Sequence, residues 1–287
     1  NDEAYVVIHS DNGSEDLLSQ KITEKGVRVI DAFLSNDGFN KINDNTYYIE
    51  NSIENYKQLF EQLAGVKISK IVHACAYRNN QVNNVNELFA ELEYGFFNII
   101  NLVKGIVKAR FDRDIKLVVI ACNAYGVTGK EEHILPHNAV ALSLGKVVEQ
   151  EYHNICCRAI DTDKYTSAND IAEQLLADHN IYLVCLRKGK SYIEEFDEAE
   201  VNPEVENRIV AGGTYIITGG TSGIGIQIAK LFSRNADCNL ILLSRKAFPD
   251  ESIWKDYLAK EDYSEKIKDF EEIKKNGSTL EFIKCDI

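Results

Sequence analysis

The stretch Thr214 to Arg245, TYIITGGTSGIGIQIAKLFSRNADCNLILLSR, constrains the fold more than any other part of the chain. A short β-branched apolar run, Tyr215 to Ile217, feeds a glycine-rich turn from Thr218 to Gly225. A helical pattern follows, with Ile224, Ile228, Leu231 and Phe232 at the spacing of one apolar face. A second apolar run, Leu240 to Leu243, closes a β-α-β unit of about 30 residues. In such a unit Gly219 permits the tight turn, Gly223 lets the backbone approach a pyrophosphate, and Gly225 lets helix and strand pack closely. The helix N-terminus offers unpaired N–H groups and a positive dipole end to that anion. Strand, turn, helix and strand in this order point to dinucleotide binding.

The alternation of strand and helix begins much earlier. Apolar runs at Tyr5 to His9, Val27 to Phe33, Tyr47 to Glu50, Lys70 to Ala76, Lys116 to Ala121 and Cys156 to Ile160 read as strands. Helices are expected at about Glu15 to Lys25, Ile53 to Ala64, Val85 to Lys108, Asn138 to Glu151 and Ala168 to His179. The long Val85 to Lys108 helix would bury Leu88, Phe89, Leu92, Phe96, Ile99, Ile100 and Val103. Ser35 to Asn45 reads as a polar loop, and Pro136 as the break before the following helix. Ile181 to Arg187 and Ser191 to Phe196, joined at Lys188-Gly189-Lys190, have the spacing of a β-hairpin. Nearly continuous apolar strands imply a sheet covered on both faces.

The fold class that follows is α/β, with two Rossmann-like doubly wound parallel sheets. The first is degenerate and the second is cut short at its C-terminus, since the chain stops on the strand ending Lys284-Cys285-Asp286-Ile287. Absence of any Met, including at position 1, also suggests a piece of a longer polypeptide. The first unit's own turn, Ser10 to Asp16, keeps only Gly13 and sets Asp11, Glu15 and Asp16 where a pyrophosphate would sit. Carboxylates there repel a diphosphate, so the first unit should bind no nucleotide. Asp31, the ribose-ligand position of a working copy, then reads as a solvated carboxylate. The boundaries expected are a structural subdomain over 1–200, an acidic linker over 201–213 and a catalytic part over 214–287.

Composition excludes several partners. A net charge of −13 disfavours nucleic acid and anionic membranes, and no apolar run is long enough to span a bilayer. Seven scattered cysteines, without CxxC or a Cys/His pair at zinc spacing, argue against a metal site and for a reducing, cytoplasmic setting.

TGGTSGIG fits the TGxxxGxG motif, and the chain thereby resembles the short-chain dehydrogenases/reductases. A degenerate Rossmann-like half in front of it resembles the ketoreductase domain of modular polyketide synthases. The 40-odd residues from Lys246 to Asp286, rich in Lys and Glu, look like the ketoreductases of trans-acyltransferase assembly lines. The resemblance implies NADPH-dependent reduction of a β-ketoacyl group to a β-hydroxyacyl group. The substrate would be held by phosphopantetheine on an acyl carrier protein, with other synthase domains as neighbours. It implies a cofactor set of Gly219, Thr221, Ser222, Gly223, Ile224 and Gly225 in the turn, Ser244 and Arg245 after the second strand, and Asp286 and Ile287 after the third. Arg245, where an NAD site would place a carboxylate, suits a 2′-phosphate.

The family's catalytic Ser, Tyr and Lys would lie beyond Ile287, so no catalytic residue is assigned here. In the first half, Asn123 stands near the serine position, and His137 and Ala141 occupy the Tyr-x-x-x-Lys spacing without a proton donor or activating Lys. His137 reads as a capping or surface histidine, and His73 and His133 have no partner at useful spacing. Two alternatives stay open: a remnant that only scaffolds neighbouring domains, and a free-standing reductase of small ketones.

Overall fold

The computed structural model describes residues 3–10, 16–111, 113–199 and 208–286. The chain divides into two compact units, Asn1–Asp197 and Glu198–Ile287. The acidic first-unit turn (Asp11, Gly13, Glu15), most of the expected linker and Ile287 lie outside the described residues.

The first unit runs β1 (Glu3–His9), α1 (Asp16–Glu24), β2 (Arg28–Leu34), β3 (Asn40–Asn43), β4 (Thr46–Ile49), α2 (Ile53–Gln62) and β5 (Lys67–Ala76). It continues with α3 (Val85–Leu92), α4 (Asn98–Lys108), β6 (Ile115–Cys122), α5 (Pro136–Glu151), β7 (Ile155–Thr162), α6 (Ala168–Leu176), β8 (Leu183–Arg187) and β9 (Lys190–Ile193). The sheet order is β3-β4-β2-β1-β5-β6-β7-β8-β9. All pairs are parallel except β3 on β4 and β9 on β8 at the two edges. The winding reverses between β1 and β5, as in a doubly wound sheet.

Apolar side chains fill both faces. Tyr56, Phe60, Ile99, Leu102 and Leu142 of α2, α4 and α5 pack on one side. Leu18, Ile22, Ile171 and Leu175 of α1 and α6 pack on the other. Central strands are therefore buried on both faces, which is why they read as unbroken apolar runs.

Three local expectations are corrected. The Val85 to Lys108 helix is broken by a π-helical turn over Glu93–Phe97, the insertion that re-aims a helix by one residue. Its N-terminal part buries nothing, and Phe89 is exposed; burial starts at Gly95 in the π-helical turn and continues at Asn98 and Ile99. The polar loop contains β3, an edge strand with all four residues exposed, which carries no apolar alternation to betray it. Pro136 does not precede α5 but opens it, where its missing N–H costs nothing. The hairpin at β8 and β9 turns on Lys188 (φ 49°) and Gly189 (φ 73°), the left-handed pair of a type I′ turn.

Two cations close α6 where no glycine cap exists. Arg158 donates to the carbonyls of Ala177 and Gln174 at 3.1 and 3.3 Å, and Lys70 Nζ donates to that of Leu175. Burial and the nearby Arg158 charge push the Lys70 ammonium down to about 8.

Buried polar groups also knit the first unit. Asn98 Oδ1 accepts from Tyr56 Oη–H at 2.7 Å and from His73 Nε2–H at 2.9 Å, so His73 has a partner that its sequence spacing hid. Burial pushes the His73 imidazole down from 6.5 to about 4. The unfolded imidazole takes a proton from about pH 6.5 downward while the native one refuses it to about pH 4. Stability should therefore fall by about 3 kcal/mol as pH drops through that window. His73→Gln should flatten this part of a pH series of urea midpoints.

The second unit runs β10 (Thr214–Thr218), α7 (Gly223–Asn235), β11 (Asn239–Ser244), α8 (Trp254–Tyr257), α9 (Glu261–Lys275) and β12 (Thr279–Lys284). Its parallel sheet is ordered β10-β11-β12. The Lys/Glu-rich segment after β11 is built on an aromatic cluster. Phe248 stacks on Phe282 at 4.9 Å and meets Phe270 edge-on at 5.0 Å, beside buried Trp254.

Candidate functional site

The glycine turn joins β10 to α7 by its own hydrogen bonds. Ser222 N–H donates to Gly219 O at 3.2 Å, Gly225 N–H to Ser222 O at 3.1 Å, and Gly220 N–H to Leu243 O of β11 at 3.2 Å. Gly219 (φ 66°) and Gly223 (φ 48°) take left-handed backbone, which only glycine adopts without strain. Space around both is open: a Cβ at either would meet nothing within 4 Å. At Gly225 a Cβ would lie 2.3 Å from Gly219 O and 2.9 Å from Gly220 Cα. Helix and turn therefore approach as closely as main chain allows.

Gly220 was missed by the motif reading. Its Cβ would fall 2.9 Å from both Ile217 O and Leu242 Cβ, so it lets the turn lie on β11. The second glycine of TGG was its only signal.

Ser222 is the N-cap of α7 but its side chain makes no capping bond, and the first turn of α7 holds no acidic residue. The Gly223 and Ile224 amides and the positive dipole end thus meet no side-chain cap or acid that would compete with an anion. Open space at Gly219 and Gly223, exposed Thr218, and these amides form a cradle that fits a pyrophosphate.

The expected inner face of α7 is corrected. Ile224 is 79% exposed and Leu231 54%, whereas Gly225, Ile226, Ala229 and Ser233 are buried. Phe232 of the expected face does pack against the core, with Ile226 and Ala229, and Gly225 lies inward because the helix meets the turn there.

Thr221 lies in the turn beside Ser222, half-buried. At the end of β11, Ser244 Oγ–H donates to Lys246 O at 2.7 Å, and Ser244 O accepts from Cys285 N–H at 2.9 Å. Arg245 is exposed and makes no ion pair among the described residues. Asp286 is exposed just past β12. The carboxyl ends of β10, β11 and β12 thus gather the turn, Ser244, Arg245 and Asp286 at one edge of the second unit.

The first unit's counterpart positions are occupied differently. Asp31 is not a solvated carboxylate: its Oδ1 accepts from Ser19 Oγ–H at 2.6 Å and lies 2.7 Å from His9 Nε2. The His9 ring stacks on Phe33 at 4.5 Å. One carboxylate oxygen of Asp31 is thus engaged within the first unit. His137 is neither a cap nor a surface residue, being 7% exposed at the start of α5. Burial lowers its imidazole pKa, with Glu91 pulling weakly the other way. Asn123 ends β6 in left-handed backbone (φ 50°), its amide donating to Asn79 Oδ1 at 3.0 Å. Among the described residues no His/Cys/Asp/Glu cluster could hold a metal ion, and no helix is long and apolar enough to cross a membrane.

Comparison with known proteins agrees with this geometry. Residues 3–179 match the family described as beta-ketoacyl synthase-like, N-terminal, and residues 213–287 match the KR domain. The chain belongs to the beta-ketoacyl synthase-like, N-terminal family, and its last 75 residues (213–287) match the KR domain. Polyketide synthase PksM of Bacillus subtilis is 39% identical over 62 residues, 22% of this chain and 1% of that protein. PksL of the same organism is 24% identical over 164 residues, 54% of this chain and 4% of that protein. An N-terminal ketoreductase from the macrolactin assembly line shares the fold, with a TM-score of 0.71 at 16% identity over 100% of this chain. This chain spans 55% of that structure and a few hundredths of the two synthases.

Proposed function

We propose that the chain is the structural subdomain (1–200), linker (201–213) and first cofactor-binding part (214–287) of an NADPH-dependent ketoreductase. Its substrate would be a β-ketoacyl thioester on the phosphopantetheine arm of an acyl carrier protein, reduced to the β-hydroxyacyl form. The observation that carries this reading is the Gly219 to Gly225 cradle, with left-handed glycines and a helix start free of side-chain caps and acids. A purely scaffolding remnant has no physical need of that arrangement.

NADPH would supply the hydride. The chain's own residues bind and orient. Backbone amides at Gly223 and Ile224 would hold the pyrophosphate, and open space at Gly223 admits its close approach. Arg245, with no internal carboxylate, would donate to the ribose 2′-phosphate beside Ser244, and Asp286 would accept from the adenine amino group. Thr221, Ser222 and Ile224 would complete the turn's contact with the dinucleotide, and Ile287 belongs to the cofactor set by the resemblance alone. The packed α8–α9 segment supports placing the domain among trans-acyltransferase assembly lines.

Arg245→Glu should weaken NADPH by about 100-fold, or about 2.7 kcal/mol, and NADH by far less. Fluorescence titration of both cofactors into a polypeptide that runs past Ile287 reads the difference. Equal losses would remove the 2′-phosphate assignment. No NADPH binding in the unsubstituted protein would leave the scaffolding reading in its place.

A further inference from the structure

The carboxyl end of the first unit's sheet holds a cavity of about 370 Å³. It opens where β6, β7 and β8 end, under the 123–135 segment. That segment is pinned by Asn123, which receives Leu135 N–H at 2.7 Å and donates its own N–H to Thr162 O at 2.8 Å. In a chain of net charge −13, the lining gathers Lys130, Lys164, Arg187, Lys188 and Lys190 around one opening.

The carboxylates of the lining all have partners, some of them in the lining itself. Glu131 accepts from the Val127 and Thr128 amides and lies 3.5 Å from Arg187 Nε, and these amides hold its carboxyl down at about 2. Glu132 pairs with Lys164 at 2.7 Å. Asp163 accepts from Thr166 Oγ1, Tyr165 N–H and Lys188 N–H. Among the described residues Lys130, Lys188 and Lys190 have no carboxylate partner. Three lysines outside any ion pair therefore line one cavity, the Lys188 charge also helping to lower the Glu132 carboxyl. Tyr165 and Tyr192 supply aromatic lining, the Tyr165 ring lying 5.2 and 5.3 Å from the Lys164 and Lys188 ammoniums.

We propose that this cavity binds a small organic phosphate monoester. Lysine ammoniums act as point charges that suit a compact dianion, and the volume falls at the lower end of small-molecule pockets, well above what a bare phosphate fills. The tyrosines take the ester's apolar or planar body. Binding requires no chemistry from the first unit.

The test is an amide NMR titration of the protein with phenyl phosphate, inorganic phosphate and phenol in parallel. Phenyl phosphate should shift the amides of 128–133 and 188–192, with inorganic phosphate about tenfold weaker and phenol without effect. The double variant K188E/K190E, on exposed hairpin positions, should keep the spectrum of the folded sheet and bind at least about tenfold more weakly. Lys104→Glu, exposed on α4, should bind as the parent does. Equal binding of phenyl and inorganic phosphate would overturn the organic body, and equal binding of phenol the anion. Shifts confined to 218–225, or unchanged affinity in the double variant, would overturn the site.

Discussion

Gly225→Val is expected to lose NADPH binding by about 100-fold or more while leaving the nine-stranded sheet intact. The cause is steric and lies in main chain. The added Cβ would meet Gly219 O at 2.3 Å and Gly220 Cα at 2.9 Å, and neither is a side-chain tip that can swing away. Helix α7 must back off the turn, carrying the first-turn amides away from the pyrophosphate. Overpacking of this kind costs about 1–3 kcal/mol, so the second unit should also unfold earlier in urea. Affinity is read by NADPH fluorescence, and integrity of the first unit by the His73-dependent acid sensitivity described above. Even Gly225→Ala should fail, because the clash begins at Cβ. Retention of affinity within about threefold in the alanine variant would mean that the turn is looser than its geometry.

The second large effect is structural. Asp161→Ala should destabilise the first unit by about 3–5 kcal/mol. Asp161 is fully buried at the end of β7, 2.5 Å from Arg187, and its carboxylate also accepts from the Ala124 and Tyr125 amides at 2.8 and 3.1 Å. Burial pushes its carboxyl up, and Arg187 and the two amides pull it back. Removing it leaves a guanidinium that is 4% exposed with Glu131, at 3.5 Å, in place of the tighter pair, and leaves the Ala124 and Tyr125 N–H groups without their acceptor. Arg187→Met in the same background should recover part of the loss, since an uncompensated charge costs more than an absent pair. Urea midpoints of the two single variants and the double variant measure this. Additive losses would show that the two residues do not share one network.

Much of the fold is legible in the chain because its central strands are covered on both faces. Runs such as Lys116 to Ala121 can hardly be anything else, and the order of strands and helices follows. What escapes is whatever depends on partners distant in sequence. β3 is stabilised only by its pairing with β4 and shows no apolar alternation. The π-helical turn at Glu93–Phe97 leaves the apolar period nearly unbroken, so one helix reads where three segments exist. On α7, bulky Ile224, Ile228 and Leu231 mimic an inner face, while the face that packs includes Gly225 and Ala229. Within the site, the glycine turn is readable because each glycine answers a local backbone demand. Gly220 is less so, because its demand comes from Leu242 across the sheet. Asp31 looks solvated until His9 and Ser19 are brought beside it, and the Asp161–Arg187 pair spans 26 positions.

The central claim is that one nucleotide site exists in these two units and that it is the turn at Thr218 to Gly225. Hydrogen–deuterium exchange with and without NADPH, on a polypeptide that runs past Ile287, tests it directly. The account predicts slowed exchange at 218–226 and 243–246, with the β1–α1 connection of the first unit unchanged. Protection at the β1–α1 connection, or none at 218–226 under saturating NADPH, would contradict it.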